Sequence, residues 1–255
     1  MDRRDFLKKS ALGIAALAAT SLLENPVMAK ANELINPKTN NSMKKIMVID
    51  GGPRKNMNTA AMVQAFVEGA QEGGADVKVV RLYDIDYKGC RSCMACQLKD
   101  KRVPSCRFKD GLTDILAECA EADGLVLASP IYYGEVTAQL RAFYERLSFP
   151  WLSYKDFSIV APKKMPVTMI YTMNASPEQF DRMKASLSSI PMYLGMALGC
   201  EPEVVMANCT KQVNDYSRYD FSEQMALSHD KWHEEHFDEE LQRAREAGKR
   251  MATGE

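Results

Sequence analysis

The chain has 255 residues, of which 46% are hydrophobic and 26% charged, with a formal net charge of -1. These are ordinary values for one sizeable globular domain with a complete core. The charge balance argues against nucleic acid as a partner, no acidic tract marks a disordered tail, and seven cysteines are too few for a disulfide scaffold in a chain this long.

The N-terminus, MDRRDFLKKSALGIAALAATSLLENPVMAKA, has a charged start and then an uncharged apolar run from Ala11 to Leu23. That run is too short to span a bilayer, which takes roughly 20 residues. The small residues Ala29 and Ala31 suit a signal peptidase. RRDFLKK, with Arg3 and Arg4 as the pair, resembles the twin-arginine export signal. The resemblance implies export of a folded protein, often after cofactor insertion, to the periplasm or the outer face of the cytoplasmic membrane. Residues 1–31 are therefore read as a signal peptide, with an amphipathic helix or retained anchor as the alternative. Residues 32–43 are read as a polar linker and 44–255 as one domain.

From Lys44 strand and helix patterns alternate. KKIMVID is a short apolar run, the mark of a buried strand. Thr59 to Gln71 has helical spacing through Met62, Val63, Phe66 and Val67, and VKVVRL is a second strand. Asp110 is placed to cap a helix carrying Leu112, Ile115, Leu116 and Cys119. GLVLAS is the third strand and Val136 to Leu147 the next helix. After a long insertion, PWLSYKDFSIVAPKKM, PVTMIYTM is the fourth strand. Ser176 caps a helix that opens on Pro177 and runs toward Gly199, with Pro191 as a candidate kink. EPEVVMAN holds the fifth strand, and Phe221 to Met251 reads as a final helix. Such alternation predicts an α/β fold with one parallel sheet covered on both faces.

GGPRKNMNTA follows the first strand and opens the first helix. Gly52 lets the backbone turn, Pro53 stiffens the loop, and Arg54 adds a cation. Asn58 and Thr59 stand at the helix start, where free N–H groups and the helix dipole attract an anion. No Gly-Lys-Ser/Thr follows, so the loop suits one phosphate and not a nucleoside triphosphate. The third strand ends in SPIYYGEVTAQLRAF, where Pro130, Ile131, Tyr132, Tyr133 and Gly134 form an apolar aromatic loop. In a doubly wound five-stranded parallel sheet of order 2-1-3-4-5, both loops face one crevice between strands one and three. A flat ring bearing a single phosphate suits that crevice, and FMN is such a ligand.

GGPRKNMNTA resembles the phosphate loop of the flavodoxin-like FMN reductase and iron–sulfur flavoprotein family, and SPIYYGEVTAQLRAF is similar to its flavin-ring loop. Gly52 departs from the family, which usually has Ser there. The resemblance implies a flavodoxin-like fold, a third flavin-facing loop at Thr172, Met173 and Asn174, and assembly as a dimer or tetramer.

GCRSCMACQLKDKRVPSC, after the second strand, holds Cys90, Cys93 and Cys96 at two-residue gaps and Cys106 nine residues beyond. Two-residue gaps let a loop wrap a cubane. The family resemblance implies a 4Fe–4S cluster on these four, although the last gap is longer than usual there. Structural zinc, disulfides and free thiols remain open as alternatives. Lys88, Arg91, Lys99, Lys101, Arg102 and Arg107 would offset the charge of a thiolate-bound cluster. Cys119, Cys200 and Cys209 read as small buried hydrophobes. His229, His233 and His236 share a helix face and read as a polar surface or subunit contact.

The functional expectation is an FMN-dependent oxidoreductase with a cluster, passing electrons between a donor and a small-molecule or protein acceptor. Its partner is a quinone pool or an exported redox protein, with NAD(P)H the other source of electrons. The alternatives are a cluster-free NAD(P)H-dependent FMN or quinone reductase and a non-enzymatic flavodoxin-like electron carrier.

Overall fold

The computed structural model describes residues 43–99 and 101–255. The expected signal peptide, and the linker as far as residue 42, lie outside the described residues.

Five strands build the parallel sheet: β1 (Lys45–Asp50), β2 (Asp76–Arg81), β3 (Gly124–Tyr132), β5 (Val167–Thr172) and β6 (Glu203–Ala207). Their order is β2-β1-β3-β5-β6, the expected flavodoxin-like arrangement. A sixth, two-residue strand, β4 (Glu135–Val136), was not expected and pairs antiparallel with the end of β3. The helices are α1 (Asn58–Glu72), α2 (Thr113–Glu121), α3 (Ala138–Ser148), α4 (Pro177–Leu187), α5 (Ser189–Leu198) and α6 (Glu223–Thr253). Among the described residues no helix is long and apolar enough to cross a membrane.

Successive strand residues point to opposite faces, and the two cores follow that alternation. Met47, Ile49, Leu125, Leu127, Met169 and Tyr171 pack on one face against α2, α3 and α5. Ile46, Val48, Val126, Ala128 and Ile170 pack on the other, against Met62, Val63 and Phe66 of α1 and Phe237, Ala244 and Met251 of α6.

Several boundaries differ from the sequence expectation. Val136 is not helical because it pairs with Ile131; Thr137 then caps α3 by accepting the Leu140 N–H. Asp110 does not cap α2. Its carboxylate accepts the Leu112 N–H in a turn before the helix, and Leu112 occupies the cap position. The expected helix from 177 toward Gly199 is two helices broken at Ser188. Pro191 falls in the first turn of α5, where a missing N–H costs nothing. The cap at Ser176 is a full capping box with Gln179. The insertion anchors itself through buried Trp151 and a bridge between Leu152 and Ile159.

α1 and α6 touch backbone to backbone. A Cβ on Gly69 would lie 1.8 Å from the Arg245 carbonyl oxygen, and one on Gly248 would lie 2.0 Å from that of Phe66. Arg245 pairs with Glu68 and Glu72 across the same contact. Gly248→Ala is therefore expected to lower stability by about 1–3 kcal/mol despite the gain in helix propensity. Urea denaturation checks this; a midpoint equal to or above wild type would mean that the helices part without cost.

Candidate functional site

The site begins at the end of β1. Asp50 is 2% exposed and accepts the Gly52 N–H at 2.7 Å with one carboxylate oxygen. The other oxygen accepts from Arg81 Nη1 of β2 at 2.7 Å. Burial pushes the Asp50 carboxyl up, and the Gly52 and Arg81 contacts oppose that shift. Gly51 donates to the Ala128 carbonyl, and its own carbonyl accepts from the Thr137 hydroxyl at 2.9 Å. A Cβ on Gly52 would lie 2.9 Å from Asp50 Oδ1 and 3.2 Å from Thr59 Cβ. Any side chain at this position therefore crowds Asp50 and Thr59.

The loop leads into α1. Met57, before the first helical residue, provides no side-chain cap, and the first turn carries no acidic residue. The first N–H groups of a helix have no intrahelical partners, so this terminus is ready for an anion. The side chains expected beside a phosphate are tied to other loops as well. The Arg54 guanidinium donates to the Gln212 carbonyl, Asn58 Nδ2 to the Lys211 carbonyl at 2.8 Å, and the Thr59 and Thr172 hydroxyls share a hydrogen bond at 2.7 Å.

A cavity of ≈ 390 Å³ lies over this terminus. Gly52, Pro53, Arg54, Asn58 and Thr59 form one end, with Pro130, Ile131, Tyr132, Tyr133, Thr172, Met173 and Asn174 along it. Its volume is within the range of about 300–1,000 Å³ usual for small-molecule sites. An uncapped helix start at one end and an apolar, aromatic wall fit FMN. Tyr133 is fully exposed at φ +53°, a backbone region costly for a bulky residue and found at ligand sites. Gly134 does not line the cavity. It turns the chain from β3 to β4 at φ +81°, and its carbonyl accepts from the Ser186 hydroxyl.

Sequence reasoning missed five lining residues: Met57, Thr210, Gln212, Phe221 and Met225. The rule that ligands gather at the carboxyl ends of the strands pointed to the loop after β6 and would have found Thr210 and Gln212. Nothing local marks Phe221 or Met225. Behind this wall buried His229 has Nδ1 2.9 Å from the Met225 carbonyl oxygen and Nε2 3.2 Å from that of Asn174. The three histidines are therefore not one polar face: His233 stacks on Phe237 and His236 packs against Trp232.

The cysteine loop forms a second site. Cys90, Cys93, Cys96 and Cys106 line one small cavity of ≈ 20 Å³, together with Arg91, Arg107, Phe108 and Arg146. Cys90 and Cys93 are exposed, Cys106 is half-buried and Cys96 is buried. Ser92 and Met94 take φ +51° and +57°, which turns the chain between the thiols. Burial, then the neighbouring Cys106, Cys90 and Cys93, push the Cys96 thiol up. Among the described residues no three His, Cys, Asp or Glu side chains converge as ligands of one metal ion, and all seven cysteines are free. Of the expected basic residues, Arg91 and Arg107 line the cavity, while Arg102 bonds Gln97 and the Pro150 carbonyl. Arg146, not expected from sequence, is 1% exposed and donates to Cys106 Sγ at 3.3 Å. Elsewhere, burial pushes the Cys119 thiol up to about 12, whereas Cys200 and Cys209 are only half-buried.

Residues 44–211 match the NADPH-dependent FMN reductase family, and the chain belongs to it, a family of flavin-dependent oxidoreductases. Iron–sulfur flavoproteins of Methanocaldococcus jannaschii and Methanosarcina thermophila are each 33% identical over 102 residues, 40% of this chain and 51% of theirs. The chain thus spans about half the length of these curated relatives. The structure of NAD(P)H:quinone oxidoreductase from Methanothermobacter marburgensis shares the fold, with a TM-score of 0.56 and 17% identity over 82% of this chain and 97% of that one.

Gly52→Ser is expected to lower stability by about 1–3 kcal/mol, since the added carbon crowds Asp50 and Thr59. Urea denaturation with parallel FMN titration checks this. An unchanged midpoint with tighter FMN binding would mean that the hydroxyl is accommodated.

Proposed function

We propose that the protein is an FMN-dependent oxidoreductase that holds an iron–sulfur cluster on Cys90, Cys93, Cys96 and Cys106, and that works outside the cytoplasm. The observation that carries the flavin reading is the uncapped start of α1, opening into a ≈ 390 Å³ cavity walled by Tyr132 and Tyr133. Bound FMN supplies two-electron and one-electron chemistry that side chains lack. The chain supplies position. N–H groups of Arg54 to Met57 and of the first turn of α1 would take the phosphate, with the Arg54 guanidinium, held by the Gln212 carbonyl, as the cation at the rim. Thr59 and Thr172 lock that helix to β5. Phe221 and Met225 close the far side and limit water.

Arg54→Ala is expected to weaken FMN by about 1.5–3 kcal/mol, the range of a charged hydrogen bond. Equilibrium dialysis or flavin fluorescence measures it, and unchanged affinity removes Arg54 from the phosphate site.

The cluster reading draws on the two-residue gaps, on four thiols lining one cavity, and on the names of the iron–sulfur relatives. Among the described residues these side chains do not converge on one metal ion, and a zinc assay on the same preparation separates structural zinc from a cluster. The donor set fits a cubane, whose thiolates sit on separate irons. The room does not fit a cubane: ≈ 20 Å³ holds about one water. That small volume favours a second reading, a cluster-free NAD(P)H-dependent reductase. Anaerobically purified chain is expected to carry about four irons and four sulfides. FMN without iron, together with rapid oxidation of NADH or NADPH, selects the second reading.

Export is supported by the Arg3–Arg4 segment. Free NAD(P)H is not expected beyond the membrane, so a quinol or an exported redox protein serves as donor. Fractionation that finds the wild-type chain in the cytoplasm removes this part of the reading.

A further inference from the structure

We propose that the hairpin of the long insertion, with the basic loop beside it, is a surface that docks on a membrane of anionic lipids. The inference needs neither the flavin nor a cluster.

The insertion forms a short antiparallel hairpin. Leu152 bridges Ile159, the Ser153 N–H donates to the Ser158 carbonyl, and the Val160 N–H donates to the Trp151 carbonyl. Buried Trp151 roots it in the core. Its tip runs from Tyr154 to Phe157, whose rings are 52% and 73% exposed and stand 6.3 Å apart. Phe157 holds φ +56°, a region that glycine takes freely and a bulky residue rarely. A large apolar side chain thus stands where neither the turn nor the core calls for one. The loop after β2 continues this surface. Gln97 donates to the carbonyls of Phe149 and Leu152, and the Phe149 ring lies 5.9 Å from that of Tyr154. Met94 and Leu98, on either side of Gln97, are exposed.

Charge selects the occupant. Residues 88–109 and 152–159 together carry eight Lys or Arg and two Asp, in a chain of formal net charge -1. Exposed Lys99 and Lys155 directly follow Leu98 and Tyr154, and the N–H of exposed Lys101 donates to the Leu98 carbonyl. Aromatic rings at the headgroup level, with lysines on anionic phosphates, hold a protein on a bilayer without spanning it. A second copy docked through a two-fold contact would set this basic rim against itself. A protein partner would need a pocket for each projecting ring, whereas a bilayer yields around them.

The test is co-sedimentation of the full chain with vesicles of phosphatidylcholine alone, or mixed with phosphatidylglycerol, at low and high salt. Wild type is compared with the pair Tyr154→Ser, Phe157→Ser and the triple Lys99→Gln, Lys101→Gln, Lys155→Gln. Circular dichroism reports folding, and if the aromatic pair does not fold, the lysine triple carries the comparison. Wild type is expected to bind the mixed vesicles, more weakly at high salt. The aromatic pair is expected to bind about tenfold more weakly, and the lysine triple about 10–100-fold. Variants that bind as wild type does move the contact elsewhere, the apolar run from Ala11 to Leu23 included, and overturn the inference. A wild-type chain that leaves the mixed vesicles unbound, or binds phosphatidylcholine alone equally well, overturns it too. If the aromatic pair instead changes only the sedimentation coefficient of the free chain, the surface belongs to a second copy and the inference fails.

Discussion

The Asp50 carboxylate ends β1 with a buried charge, held by the Gly52 N–H on one side and Arg81 on the other. The first contact folds the Gly51–Gly52 turn back on β1 and so aims the start of α1 into the cavity. The second ties that turn to the end of β2, the strand from which the chain departs toward the cysteine loop. Removing one partner of a fully buried pair costs about 3–5 kcal/mol. The figure is lower here because Arg81 keeps 20% exposure.

A second connection between the two sites runs along α3. Thr137 at its start holds the Gly51 carbonyl, and Arg146 in its last turn holds Cys106 and the segment around it. At a rise of about 1.5 Å per residue the two anchors lie about 14 Å apart along the helix. A rigid helix therefore sets the spacing between the flavin cavity and the thiols, while the loops on either side remain adaptable. The strained backbone at Ser92, Met94 and Tyr133 lies in those loops and not in the helix.

The sheet was legible in the sequence because its strands are continuous apolar runs, and their order was the one that the flavodoxin-like resemblance implied. The loop that opens α1 onto the cavity was legible because Gly51, Gly52 and Pro53 mark a tight turn between strand and helix. Other features leave no local mark. An arginine in an amphipathic helix looks like a surface residue, so Arg146 was invisible until its partners from residues 88, 106, 108 and 110 were brought around it. Gly69 and Gly248 look like weak points in two helices and are where the helices touch. Gly134 looked like a ligand-loop glycine and serves a turn instead, because β4 pairs back on β3. Phe221 and Met225 reach the cavity from the start of α6, the helix that crosses α1 at Gly69 and Gly248.

That crossing has a bearing on how the domain comes into being. α1 is the first helix of the domain to be made, and α6 follows every other described element. Chains grow at about 5–20 residues per second, so during synthesis the face of α1 around Phe66 and Gly69 stands bare while the rest of the sheet is assembled. The phosphate end of the pocket waits as well, because Arg54 and Asn58 are held by the carbonyls of Gln212 and Lys211; the wall at Phe221 and Met225, with His229 behind it, follows. A nascent chain thus completes both ends of the pocket only after residues 210–225 have joined the sheet, so the cavity belongs to the finished domain.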